Sequence, residues 1–232
     1  MFVRADECFE KPDHQRVIYC ELKEIYDVDD TMRYNVDVLW RLTRSCHAVG
    51  NTYEAKDQKR KEILLEGREY ALQAYSIDEN NFNVLKWTAV VVGSLTDHLG
   101  TQEKIEQGYL FKEYLDRAIA IQPKDTTLLH MRGRFAYSVA NLSWLERKAA
   151  TMLYSKPPEA TVDEALEDFL EVEELEPSSW IENLYYLVQC LLIKKNKQEA
   201  VKYMKNALQI TPVDDSESRM LADIRRLLSR HS

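Results

Sequence analysis

Four segments of the chain carry small or apolar residues in one shared register. Ala165, Phe169, Val172 and Leu175 precede Pro177, and Phe111, Leu115, Ala118 and Ile121 precede Pro123. Ala200, Met204, Ala207 and Ile210 precede Pro212, and Gly67, Ala71, Ala74 and Ile77 precede Glu79. Steps of four, three and three residues place these positions on one face of a helix, and a proline just beyond ends it. A lone helix cannot bury such a face. The repetition therefore predicts helices stacked in pairs, each registered segment being the second member of its pair.

The first members fall between the registered segments. The span 35–49 is strongly periodic, with Val38, Leu42 and Cys46 on one side and a stop at Gly50-Asn51. A shorter helix is predicted over 84–92, followed by a turn bracketed by Gly93, Gly100 and Gly108 and a helix over 109–121. After Pro123, Asp125 is a candidate N-cap. From 128 to 154 the pattern predicts one helix of about 27 residues, longer than a repeat helix needs. Gly133 would let a neighbouring helix approach closely, and Leu142, Trp144, Leu145 and Met152 would anchor the second half until Ser155-Lys156-Pro157-Pro158 breaks it. Thr161 with Glu164, and Ser179 with Glu182, have capping-box spacing. Residues 1–15 read as a mixed, polar tail, disordered or loosely docked, 16–27 as a capping helix and 216–229 as a terminal amphipathic helix. The organisation predicted is an N-terminal tail and cap over 1–34 and a repeat domain over 35–232. The register resembles the second helix of tetratricopeptide repeats. The fold class expected is all-α, a right-handed α-solenoid of tetratricopeptide-like helix pairs with a long helical insertion in the third repeat.

Composition supports this. Only six Gly and six Pro occur among 232 residues, too few for a turn-rich β-fold. The net charge of −8 argues against a general nucleic-acid binder. No apolar run approaches the ~18 residues of a membrane span, and MFVRADECFEKPDH has no apolar core of a secretory signal. Cys8, Cys20, Cys46 and Cys190 lack CxxC spacing and read as free thiols in a reducing cytosolic compartment.

Candidate chemistry is sparse. His14, His47, His98, His130 and His231 are far apart and form no HExxH, and no phosphate loop or nucleophile elbow occurs. The reading is a non-enzyme with no catalytic residues, no metal site and no cofactor. The clamp by which some repeats of this class hold a chaperone's terminal carboxylate needs Lys and Asn on the first helices. Lys86 stands near one such place, but Val90, His130 and Arg134 occupy others, so the set is incomplete. Residues 159–176 hold nine acids and no base, which suits a solvated face or a dock for a basic partner. Trp40, Trp87, Trp144 and Trp180 suit core positions or a ligand groove, and Met152 and Met204 suit core filling. Residues 178–232 carry nine Lys and Arg against six acids, which leaves −11 on the rest. Lys194, Lys195 and Lys197 gather in one turn, and Lys202 and Lys205 lie opposite Ala200, Met204 and Ala207. These five lysines are the candidate partner-binding residues, as a solvated surface or as a patch for an acidic partner.

One stretch is more specific than a generic repeat. SWLERKAATMLYSKPP (143–158) followed by EALEDFLEVEELEP (164–177) resembles the regulator of microtubule dynamics family. LWRLTRSC (39–46), LLEGREYALQAYSIDENNF (64–82), KWTAV (86–90) and AIAIQPKDTTLLHMRGRFAY (118–137) agree with it in order, over about residues 36–212. The resemblance implies a tetratricopeptide-like scaffold associated with microtubules or tubulin, with the spindle and spindle pole, and with chromosome segregation. It implies other protein partners along the helical surface and a place in the cytoplasm and cytoskeleton. Some members are instead anchored at mitochondria or the endoplasmic reticulum by an N-terminal membrane segment, so an adaptor contacting protein or lipid at an organelle surface is the alternative. The family offers no catalytic motif to carry over.

Overall fold

The structure, a computed structural model, describes residues 2–9, 14–153 and 159–231. It is built of helices, with no strand among the described residues. Two compact units divide at 121/122. The first holds α1 (Phe2–Phe9), α2 (Gln15–Val28), α3 (Val36–Gly50), α4 (Gln58–Ile77), α5 (Phe82–Leu95) and α6 (Thr101–Ile121). The second holds α7 (Thr126–Ala140), α8 (Trp144–Leu153), α9 (Val162–Leu175), α10 (Ile181–Ile193), α11 (Lys197–Ala207) and α12 (Asp215–His231). Within the units α3 packs on α4, α5 on α6, α7 on α9 and α10 on α11, so the four registered segments are the second helices of four pairs.

The first three positions of every registered segment are buried, from Gly67, Ala71 and Ala74 in α4 to Ala200, Met204 and Ala207 in α11. The fourth is not. Ile77, Ile121 and Leu175 are 44%, 47% and 38% exposed, although Ile77 was expected on the core face. Helix geometry gives the reason. At about 100° per residue, positions 0, +4 and +7 lie within ~60° of one another, but +10 lies ~80° round from the first. Each of these three residues is also the last of its helix.

Asx and Thr caps fix where helices begin. Asn35, Asn81 and Asp125 accept backbone N–H bonds at the starts of α3, α5 and α7, as do Asp57 and Asn196 for α4 and α11. Thr161 and Glu164 form the full capping box on α9. Each such cap stabilises its helix by about 1 kcal/mol. The box expected of Ser179 and Glu182 does not form. Trp180 is the N-cap without a side-chain bond, Ser179 Oγ donates to the Glu176 carbonyl, and Glu182 turns to Arg134. Two glycines permit close crossings. A Cβ on Gly67 would stand 2.7 Å from Cys46 Cβ, and one on Gly133 would stand 2.8 Å from Phe169 Cε1. Gly93 and Gly108 lie inside α5 and α6, so the turn between them is shorter than expected.

The inserted stretch is two helices rather than one. α7 ends at Ala140, and Ser143 starts α8, with its N–H and hydroxyl both donating to Glu146 Oε2. This Ser-x-x-Glu spacing is the signal that a continuous-helix reading passes over. Arg147 then ties α8 back by donating to the carbonyls of Val139, Ala140 and Leu142 at 3.1, 2.8 and 3.3 Å. Trp144, Leu145 and Met152 are not anchors, being 73%, 69% and 80% exposed, and Ala150 is the residue that buries. The expected Pro157-Pro158 break lies outside the described residues. At the other end, residues 2–9 are helical rather than a loose tail, with Ala5 and Phe9 buried against α3 and α2.

His47 of α3 sits beside Trp87 and within reach of the charges of Arg60 and Arg44. Burial, then the charges of Arg60 and Arg44, push its pKa down from 6.5 to about 4. Between those values the unfolded chain binds the extra proton. Stability is therefore whole above pH 6.5 and is lost as pH falls toward 4. Urea titrations at pH 7 and pH 4.5 should show His47→Gln losing about 2 kcal/mol less than the wild type across that interval. An equal loss in both proteins would remove His47 as the cause.

Candidate partner-binding surfaces

The predicted lysines lie where α10 turns into α11. α10 ends at Ile193, and the N–H groups of Lys194, Lys195 and Asn196 close onto the carbonyls of Cys190, Leu192 and Leu191. Lys195 takes a left-handed backbone with φ of 61°, and Asn196 caps α11 through Glu199 N–H at 3.3 Å. All five lysines are exposed. The turn brings Lys194, Lys195 and Lys197 together, whereas Lys202 sits about 140° round the helix from Lys197. Lys194 pairs with Asp163 of α9. Lys202 pairs with Glu199 at 3.2 Å, and that hydrogen bond raises its pKa. Among the described residues, Lys195, Lys197 and Lys205 form no ion pair.

The clamp-like positions are committed internally. His130 is 3% exposed, stacks 4.0 Å from the Trp180 ring, and holds Nδ1 at 3.1 Å from Asn183 Oδ1. Asn183 in turn donates to the Phe169 carbonyl at 2.9 Å, so its oxygen is the acceptor and His130 Nδ1 carries the proton. Arg134 pairs with Glu182 at 2.8 Å. Burial raises the Glu182 pKa, but His130 and Arg134 more than offset it, and the net shift is downward. Arg132 grips Asp168 through both carboxylate oxygens, with the shortest bond 2.6 Å. This network locks α7, α9 and α10 together and leaves His130 no ring face for a ligand. Of the tryptophans, Trp40 is buried, Trp87 and Trp180 are half-buried and Trp144 is exposed.

The sequence reading missed one constellation. Arg41 of α3 is buried, and its guanidinium meets Asp6 of α1 and Asp37. No spacing rule links residues 35 apart, and the tail reading hid the partner. Among the described residues, no three His, Cys, Asp or Glu side chains are placed to hold a metal ion, and no helix is long and apolar enough to cross a membrane.

Comparison with known proteins agrees with this architecture. Solved structures of similar fold include a thermophilic TPR protein of Thermus thermophilus, with TM-score 0.54 at 13% identity over 94% of this chain and 90% of that one. MamA gives TM-score 0.52 at 16% identity over 90% and 88%. At such identities the likeness establishes tetratricopeptide-like helix pairs and nothing more. Among sequence relatives, regulator of microtubule dynamics protein 1 of Caenorhabditis elegans is 39% identical over 229 residues, 99% of this chain and 98% of that protein. Protein 3 of Xenopus laevis is 36% identical over 83% of this chain and 41% of its own length. Protein 2 of Homo sapiens is 31% identical over 98% and 56%. The chain thus spans nearly all of the nematode relative and about half of the two vertebrate ones. The sequence model of the family, described as regulator of microtubule dynamics protein 1-3, matches residues 1–232, and this chain belongs to that family.

Proposed function

We propose that the chain is a non-enzymatic scaffold in the cytoplasm that associates with microtubules and, at the spindle and spindle pole, assists microtubule dynamics and chromosome segregation. The observation that carries the reading is the family membership, with a relative named for regulating microtubule dynamics aligned along nearly both whole lengths. The helix-pair architecture suits a scaffold, since its exposed helix faces offer surface for other proteins. The lysine turn supplies the positive charge that an acidic polymer surface would meet, although the chain as a whole carries −8. Co-sedimentation with polymerised tubulin tests the reading. The chain should enter the pellet saturably and leave it as salt rises. A pellet fraction equal to that without microtubules would overturn it. Recovery instead with floated phospholipid vesicles would move the assignment to an organelle-surface adaptor.

A further inference from the structure

α1 packs beside α2 and meets α3 through a charged and aromatic face rather than an aliphatic one. Arg41, 7% exposed, donates to both oxygens of Asp6, from Nε at 2.9 Å and Nη2 at 2.7 Å. The same guanidinium stands 4.3 Å from the Phe2 ring centre and 4.0 Å from that of Trp40. Asp37 holds its third arm at 3.0 Å and also takes the Trp40 indole N–H at 3.0 Å. One turn along α3, Arg44 stands 4.1 Å from the Phe9 ring centre and 5.1 Å from that of Trp87. Two arginines, each also beside an indole, thus receive Phe2, Asp6 and Phe9 of α1. Those positions are i, i+4 and i+7, one face of a helix.

Helices docking in grooves are read through anchors at this spacing, and Trp and Arg are the residue types on which binding energy concentrates. Where α2 packs on α3, the buried residues are the aliphatic Ile18 and Leu22 instead. α1 depends on the face for its shape, since eight residues are short of the ~12–15 that sustain a free helix. Its grip is also open to water, because the Asp6 side chain is 41% exposed and the Arg4–Glu21 pair at the edge is largely solvated.

We propose that this face is a docking site for a helical segment of another protein that carries an acid between two aromatics at i, i+4 and i+7. α1 is its resident stand-in, displaced when such a segment binds. The proposal does not depend on microtubule association. A tethered competitor lowers the apparent affinity for an incoming segment, so the intact chain binds weakly and a chain with a weakened α1 binds well.

The test uses the full chain and a labelled Ala/Gln/Lys helix carrying only the Phe, Asp and Phe triad, followed by fluorescence anisotropy. Asp6→Lys sets a cation against Arg41 and should tighten binding of this peptide at least tenfold over the wild type. Adding Arg41→Gln to that variant, or replacing the peptide's acid with lysine, should return it to the wild-type level or below. Phe2→Ala, which removes one ring and no charge, should give a smaller gain and serves if Asp6→Lys loses its helical signal. The proposal is overturned if neither opened chain binds more tightly than the wild type, or if a peptide with the triad scrambled binds as well.

Discussion

Replacing Phe169 with alanine should lower the stability of the 122–232 unit by about 3–5 kcal/mol, the range for deleting a buried aromatic ring. Phe169 is fully buried at the centre of α9. Its ring is what Gly133 makes room for, lies stacked 5.8 Å from Tyr186 and stands 5.6 Å from His130. The walls of the resulting cavity are held by hydrogen bonds and ion pairs, with Asn183 bonded to the Phe169 carbonyl and Arg132 to Asp168. Those constraints limit collapse, which places the cost in the upper part of the range. Leu170 is the matched control, because it follows on the same helix and is 37% exposed. Leu170→Ala should cost less than about 1 kcal/mol. Urea titration followed by fluorescence of Trp180, which stacks on His130, reports on this unit. A loss under about 1 kcal/mol for Phe169→Ala would mean that the registered face is not the core face.

What the sequence revealed and what it hid follow from the range of the signal. The three-position register, the Asp125 cap, the Thr161–Glu164 box and the small residue at Gly133 are local patterns, and local hydrogen bonding or packing decides each of them. The exposed Ile77, Ile121 and Leu175 are also apolar, and the angular drift of the spacing and their place at the helix ends separate them from Ala74, Ala118 and Val172. Trp144, Leu145 and Met152 misled because apolar identity says nothing about which side of a short helix faces its neighbour. Arg147, a charged residue, is what fastens α8, through three backbone carbonyls.

The candidate sites divide in the same way. The lysine turn was legible because its members are adjacent in the chain and sit between two well-marked helices. The Asp6–Arg41 pair was not, since it joins an eight-residue segment read as a tail to a helix whose own pattern already explained Val38, Leu42 and Cys46. Ser179 shows the remaining kind of error. Its spacing to Glu182 fits a capping box, but Arg134 and His130, about 50 residues away, claim the carboxylate first. The Arg134 guanidinium brings a full positive charge to Glu182 at 2.8 Å in a largely buried setting, where a backbone N–H would bring only a dipole.

Reversing Lys194, Lys195 and Lys197 to glutamate should abolish the proposed microtubule association while leaving the helical signal and melting temperature nearly unchanged. The fold should tolerate all three changes. Lys194→Glu trades an exposed ion pair with Asp163 for an exposed repulsion, a difference of about 1 kcal/mol or less. Lys195 already holds a left-handed backbone, and glutamate there has the same unbranched Cβ. Lys197 is the first residue of α11, where an acid is favoured by the helix dipole by about 0.3–1 kcal/mol, roughly offsetting the first loss. Binding has no such compensation. The turn would change from three positive charges to three negative ones in a chain already at −8, facing an acidic partner. Exposed charges act over about 8–10 Å near physiological salt, so the effect depends on the turn lying against the polymer. Reversal of Lys56, Lys59 and Lys61 makes the same change in net charge at the start of α4 and is the control. If the two triple variants sediment equally with microtubules, or if wild-type sedimentation ignores salt, the turn is not the contact. A surface elsewhere on the helix pairs, or an intermediary protein, would then carry the association.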